Sequence, residues 1–216
     1  IFIARHGETV FNAAKRMQGD KLDTPLTLTG IAQAQAMGSA LAAWLGTRQT
    51  LSLWSSPSGR ALQTLAIVAE HIDADWHSAT HDARLQEINV GGWAGRTYAE
   101  IMAEQGNILD AEVGLFSVRP PDGEWYDEIA ARLQHWIEET ADQRGDRLVI
   151  MHGMSSRVLR GILRKGGCGH GERAALPAAA LLSGAGLVVD DGRAALDLAE
   201  VALDAVQLVA VEDLDA

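Results

Sequence analysis

The first residues able to do chemistry stand at positions five to nine, Arg5-His6-Gly7-Glu8-Thr9. An apolar run, Ile1-Phe2-Ile3-Ala4, leads straight into them. A guanidinium and an imidazole at a strand tip are costly to bury without a partner, so this tip either reaches water or receives an anion. The pattern returns later, where Leu148-Val149-Ile150-Met151 runs into His152-Gly153. Between the two, Leu51-Ser52-Leu53-Trp54 is followed by a stretch that puts Arg60 in the first turn of a helix. Taken singly, each residue has an ordinary reading. A lone histidine is usually a surface or hydrogen-bonded core residue, and a lone helical arginine a solvated face. His71, His77, His81, His135 and His170 take that reading, because none follows an apolar strand into a glycine. Two strand-end His-Gly pairs together with Arg5 and Arg60 form a different pattern. Their chemistry suits a phosphate, whose oxygens match the planar fork of arginine.

Such a cluster needs parallel strands ending side by side, with helices returning the chain between them. The periodicity supplies both. Ala34, Met37, Leu41, Trp44 and Leu45 fall on one helical face, with Thr29 as a cap and Gly46 as a stop. Ser56-Pro57 reads as a cap and first helical residue, and Leu62, Leu65, Ala69 and Ile72 form the stripe that follows. A short helix is predicted near Tyr98–Glu104. Asp122 is placed as the cap of another helix with Tyr126, Ile129, Leu133, Trp136 and Ile137 inward. Val158, Leu159, Ile162 and Leu163 repeat at helical spacing, and Gly186–Val189 and Val206–Val211 read as late strands. Strands alternating with helices predict an α/β fold: a three-layer α/β/α sandwich with a mainly parallel central sheet, in a single domain over 1–216. Ligands of such sheets collect beyond the carboxyl ends of the strands.

Composition limits what the chain can bind. The formal net charge of −11 argues against nucleic acid and against an anionic membrane surface. Residues 172–216 contribute nine acids and two arginines to it, so an anionic ligand must be held by a local basic cluster. No apolar run approaches a membrane span, and Ile1–Ala4 is too short for a signal peptide. The single cysteine, Cys168, allows no internal disulfide, which points to a reducing compartment and a cytoplasmic location. Cys168-Gly169-His170 reads as a glycine-rich loop rather than a metal site.

The motifs, taken in order, resemble the histidine phosphatase superfamily, also called phosphoglycerate mutase-like. Arg5-His6-Gly7-Glu8-Thr9 with Asn12 matches its signature. Arg16, Gln18 and Gly19, then Asp23, Pro25, Leu26, Thr27 and Gly30, match the next stretch. Ser55, Ser56, Arg60, Ala61 and Thr64 follow, then Leu85 and Glu87, then Gly91 or Gly92 with Trp93 and Gly95. His152, Gly153 and Arg157 close the series, which runs from about Ile1 to Leu163. Two places depart from the pattern. Pro121-Asp122-Gly123-Glu124-Trp125 carries tryptophan where the family commonly has serine, and the C-terminal part shows no clear N-x-S strand.

The resemblance implies roles. His6 is the nucleophile that forms a phosphohistidine. Arg5, Arg60 and His152 hold the three equatorial oxygens, with His6 neutral and His152 protonated. Asn12, Thr9 and Gly153 contact the bound group. Glu87 is the general acid and then the base, since a carboxyl beside a dianion keeps its proton more readily. Glu8 is structural. No metal or other cofactor is implied, and the partner is a small phosphorylated metabolite. An insertion near 96–126 is expected to cover the substrate, and Phe116, Trp125 and Tyr126 are core residues or line its pocket. Glu87 and His152 stand 65 positions apart, and only Arg96 and Arg119 are basic between 96 and 122. Both features, like the early loop, resemble the phosphatase branch more than the mutases. The expected activity is therefore hydrolysis of phosphate monoesters. Mutase-type phosphotransfer and a non-catalytic phosphate-binding module stand as alternatives.

Overall fold

Alternation along three short strands divides the core in two. The computed structural model describes residues 1–46, 51–110, 115–166 and 209–210. Strands β1 (Phe2–Arg5), β2 (Leu51–Ser55), β3 (Thr80–His81), β4 (Asp146–Met151) and β5 (Val209–Ala210) form one sheet in the order β3-β2-β4-β1-β5. The first four are mutually parallel and β5 runs antiparallel to β1. Phe2, Ala4, Leu53, Leu148 and Ile150 point to one face, where they meet α2 (Leu28–Leu45) and α3 (Gly59–His71). Ile3, Trp54, Val149 and Met151 point to the other, against α5 (Tyr126–Glu139) and α6 (Gly153–Gly166). Strands covered on both faces must be apolar on both sides, which is why β4 reads as a continuous run. The result is the three-layer α/β/α arrangement expected from the sequence.

The remaining helices, α1 (Val10–Ala13) and α4 (Tyr98–Gln105), lie in the connections. In α2, Ala34, Met37, Leu41 and Leu45 are buried as the spacing predicts, while Trp44 packs from the edge. In α5, Tyr126, Ile129, Leu133 and Trp136 are buried and Ile137 is half-buried. The inward side of α3 is Arg60, Ala61, Thr64, Leu65, Val68 and Ala69, with Leu62 and Ile72 only half-buried. The face is thus turned toward the polar residues that the site requires.

Three helix starts differ from the sequence expectation. Thr27, not Thr29, caps α2, accepting the Gly30 amide on its hydroxyl and donating that hydroxyl to Glu8 Oε1 at 2.6 Å. Residue Ser58, not Ser56, precedes α3, because the Gly59 and Arg60 amides turn to the carboxylate of Asp23. Trp125, not Asp122, precedes α5, and its amide is met by Glu128 Oε2 at 2.7 Å; Asp122 sits at φ 56° in the turn before. Late strand Gly186–Val189 and the Cys168–His170 loop lie outside the described residues, and Val209–Ala210 falls within the last predicted strand. No helix among the described residues is long and apolar enough to cross a membrane.

The loop after β1 is pressed onto the start of α2. A Cβ on Gly7 would collide with the Gly30 carbonyl, and one on Gly30 with the Glu8 backbone. Helix propensity alone favours alanine over glycine by about 1 kcal/mol. Gly30→Ala is instead expected to lower the unfolding free energy by about 1–3 kcal/mol, since overpacking outweighs propensity here. Urea unfolding measures it, and an unchanged or higher midpoint would contradict this packing.

Candidate active site

The sheet ladder continues one residue past each central strand. The His6 amide donates to Met151 O at 3.0 Å, and the Ser56 amide donates to Ile150 O at 3.0 Å. With Arg5 registered opposite Met151, this fixes His6 and His152 at adjacent strand ends. Their rings lie edge to face with centroids 5.1 Å apart. Both are buried, His6 with 4% and His152 with 0% of its surface exposed.

The tautomer of His6 follows from its neighbours. Nδ1 lies 2.7 Å from the Gly7 carbonyl, which can only accept, so Nδ1 carries the proton. Nε2 then presents its lone pair and accepts from Arg60 Nε at 3.2 Å. Arg60 is itself held from behind. Nη2 donates to Gly19 O at 2.7 Å, and Nη1 to Leu22 O at 3.0 Å and to Asp23 Oδ1 at 3.4 Å. Thr64 steadies the same corner, accepting the Gly7 amide at 3.0 Å and donating to Arg60 O at 2.8 Å. His152 Nε2 lies 3.4 Å from the Ser58 hydroxyl, and its Nδ1 is buried with no hydrogen-bond partner among the described residues.

Glu87 reaches the cluster from the loop after the turn at Ala83–Leu85. Its carboxylate accepts the Met154 amide at 3.1 Å and the Ser155 amide at 3.0 Å, and so caps α6. The amides at the starts of α6 and α3 are not open to an anion: Glu87 fills one and Asp23 the other, because a carboxylate is favoured where helix amides and the positive dipole end converge. Positive charge at this site comes from side chains, Arg5 and Arg60 beside the histidines and Arg16 on the cavity wall.

A cavity of about 70 Å³ opens beside these groups, with the fully buried His152 not on its wall. Arg5, His6, Asn12, Arg60 and Glu87 all line it, as do Arg16 and Tyr98. Asn12 Oδ1 is occupied by the Thr9 amide and hydroxyl, so its amide nitrogen is the end suited to donate. The Thr9 hydroxyl is taken up by Asn12 and Gln18, which makes Thr9 the cap of α1 rather than a wall of the cavity. Gly153 opens α6 beside Arg5 and Glu87. Phe116 is a core residue that also touches the cavity, whereas Tyr126 is wholly core and bonds the Phe116 backbone. Ser58 bears on the site without a local signal in the sequence, and Asp23 stands in the matched motif with no role attached to it, because each acts on a residue far along the chain.

Burial pushes the His6 imidazole well below its ordinary range, and the Arg60 and Arg5 guanidinium groups add to the effect. His152 is pushed down by the same burial, then by Arg60 and the His6 ring. The sequence reading set the two histidines in opposite charge states; both are in fact disposed to be neutral. A dianion among the arginines is the charge that would restore a proton to His152. Burial also lowers Arg60, with Glu87 and Asp23 opposing, and an arginine so placed stays charged.

Comparisons with known proteins agree with this arrangement. The family model of the histidine phosphatase superfamily (branch 1) matches residues 1–199. A probable phosphoglycerate mutase GpmB of Erwinia tasmaniensis is 33% identical over 162 residues, covering 74% of this chain and 72% of that one. One from Yersinia pestis is 32% identical over 158 residues, covering 72% and 70%. Among solved structures, a mycobacterial glucosyl-3-phosphoglycerate phosphatase in complex with VO3 superposes with TM-score 0.67 at 29% identity, covering 87% of this chain and 86% of that one. Bacillus stearothermophilus YhfR superposes with TM-score 0.62 at 27% identity, covering 76% and 79%. The chain belongs to the histidine phosphatase superfamily.

Two buried neutral imidazoles make stability depend on pH. In the unfolded chain they take up protons below about pH 6.5, while the folded state resists until lower pH. Stability is therefore expected to fall as pH drops below about 6.5. The His6→Gln, His152→Gln double variant should show a shallower fall between about pH 6.5 and 5 in urea unfolding. Identical slopes would mean the rings are not held neutral.

Proposed function

We propose that the protein is a metal-independent phosphatase that hydrolyses phosphate monoesters through a phosphohistidine on His6. The observation that carries this reading is the His6 geometry, with Nδ1–H fixed on Gly7 O and the Nε2 lone pair facing the cavity wall that holds Arg60. The relative solved with VO3, and again with inorganic phosphate, supports an oxyanion as the ligand of this fold.

In the first step Nε2 attacks phosphorus, forming the N–P bond as the P–O ester bond breaks. The phosphoryl group displaces the Arg60 contact with Nε2, so Arg60 Nε turns from the imidazole to an oxygen. Arg5 and Arg60 neutralise the equatorial oxygens and His152, protonated as the dianion enters, donates to a third. The Asn12 amide adds one more donor. Glu87 in its acid form gives a proton to the departing alkoxide. In the second step a water loses a proton to Glu87 and attacks phosphorus, the N–P bond breaks, and neutral His6 is restored as phosphate leaves. Every group named belongs to the chain, so no step draws on a metal ion.

The mutase alternative differs only in the second step, where a substrate alcohol replaces water. It draws support from the names of the relatives above 30% identity. The short interval between Glu87 and His152 favours water.

Phosphate release from a panel of small esters is expected to persist with a chelator present and to be lost in His6→Ala. Release that needs added metal, or that survives the substitution, would contradict the reading. Glu87→Gln should slow alkyl esters by about 10²–10⁴-fold. Release of 4-nitrophenolate in a pre-steady-state burst should be much less affected, because that leaving group needs no proton. Equal losses for both esters would remove Glu87 from the acid role.

A further inference from the structure

A second and larger hollow adjoins the catalytic cavity. It holds about 420 Å³, within the usual range for small-molecule sites. Glu87 lines both spaces, and Gly19 of the small cavity leads directly into Asp20 of the large one. An ester whose phosphoryl group lies on His6 and whose bridging oxygen faces Glu87 therefore has this adjoining volume available for the rest of its alcohol.

The wall of that volume has a decided charge. Asp20, Glu87, Asp122, Glu124 and Glu128 face it, against the single guanidinium of Arg132. Arg132 is already committed: Nε and Nη2 bond the two oxygens of Glu124 at 2.7 and 3.1 Å, and Nη1 bonds the Arg84 carbonyl. Glu128 is paired with Arg119 at 2.8 Å, which removes one carboxylate from the balance and leaves the excess negative. Burial pushes the Asp20 carboxyl up and Glu124 adds to the effect, while its own backbone amide, Lys21 and Arg132 draw it down. Ionised carboxylates only accept hydrogen bonds. The remaining polar wall, Gln86 and Asn89, does not change the sign.

We propose that this groove receives the alcohol half of the ester and selects alcohols that present hydrogen-bond donors, as hydroxyl or ammonium, while rejecting those with a second anionic group. This rests on the hydrolase reading above and adds a substrate class to it. Phosphorylated polyols and amino alcohols belong to that class; a monoester that also carries a carboxylate or second phosphate does not. The same sign disfavours a bisphosphate intermediate, whose distal phosphate would have to enter the groove.

The test compares kcat/KM for phosphate release from glycerol 3-phosphate, phosphoethanolamine and 3-phosphoglycerate, three esters of similar size and different charge. At low ionic strength the first two should exceed the third by about tenfold, and added salt should narrow the ratio. The Asp20→Asn, Asp122→Asn double variant should narrow it too, chiefly by improving 3-phosphoglycerate. Both changes are isosteric, and Asn tolerates the positive φ of Asp122. The salt response of the unaltered protein decides the matter if that variant does not fold. Equal rates, or faster release from 3-phosphoglycerate, would overturn the selection while leaving hydrolysis in place. Release from none of the three, with 4-nitrophenyl phosphate also inert, would overturn the hydrolase reading and the selection together.

Discussion

The structure depends on keeping Arg60 charged and nearly dry beside an uncharged imidazole. A guanidinium with 1% exposure is tolerable only if its donors are met. Gly19 and Leu22 carbonyls, Asp23 and His6 Nε2 meet them. That requirement fixes the loop between α1 and α2, the start of α3 and the tautomer of His6 at one stroke. The central strands and the helices on both faces serve to bring residues from distant parts of the chain to this one corner.

Two carboxylates tie the site to the helices that frame it. Asp23 accepts amides at the start of α3 and also touches Arg60; Glu87 accepts amides at the start of α6. In each case a helix end that could have bound an anion is closed by the protein's own acid. The consequence for function is specific. Anion affinity rests on side-chain cations, and under the proposed mechanism one Glu87 oxygen would have to loosen its hold on the Met154 or the Ser155 amide to carry a proton.

Much of this was legible in the sequence, for physical reasons. Strands β1, β2 and β4 are short apolar runs covered on both sides, and the helices after them keep a strong apolar period, so the layers could be read directly. The site was legible because its residues follow strands whose ends converge in any parallel sheet. Hidden were interactions between residues far apart in the chain. Ser58 precedes its helix because Asp23, distant in the chain, binds the Gly59 and Arg60 amides, whereas Thr27 and Trp125 are set by caps within one turn, the Gly30 amide on Thr27 and the Trp125 amide on Glu128. Strand β3 escaped because Thr80 and His81 are both exposed and carry no apolar pattern. Burial, invisible in sequence, lowers His152 as well as His6, so the proton expected on His152 depends on the charge of a bound anion. The large acidic groove escaped as well, since its walls come from 20, 83–89 and 122–132.

The central claim is that phosphorus bonds to one nitrogen of one histidine. The most direct measurement is rapid alkaline quenching of the protein mixed with a ³²P-labelled phosphate monoester, followed by peptide mapping and ³¹P NMR of the labelled residue. The account predicts a base-stable, acid-labile phosphoryl group on His6, attached at Nε2, since Nδ1 keeps its proton on the Gly7 carbonyl. Turnover with no trapped label, or a label on another residue or on Nδ1 of His6, would contradict it.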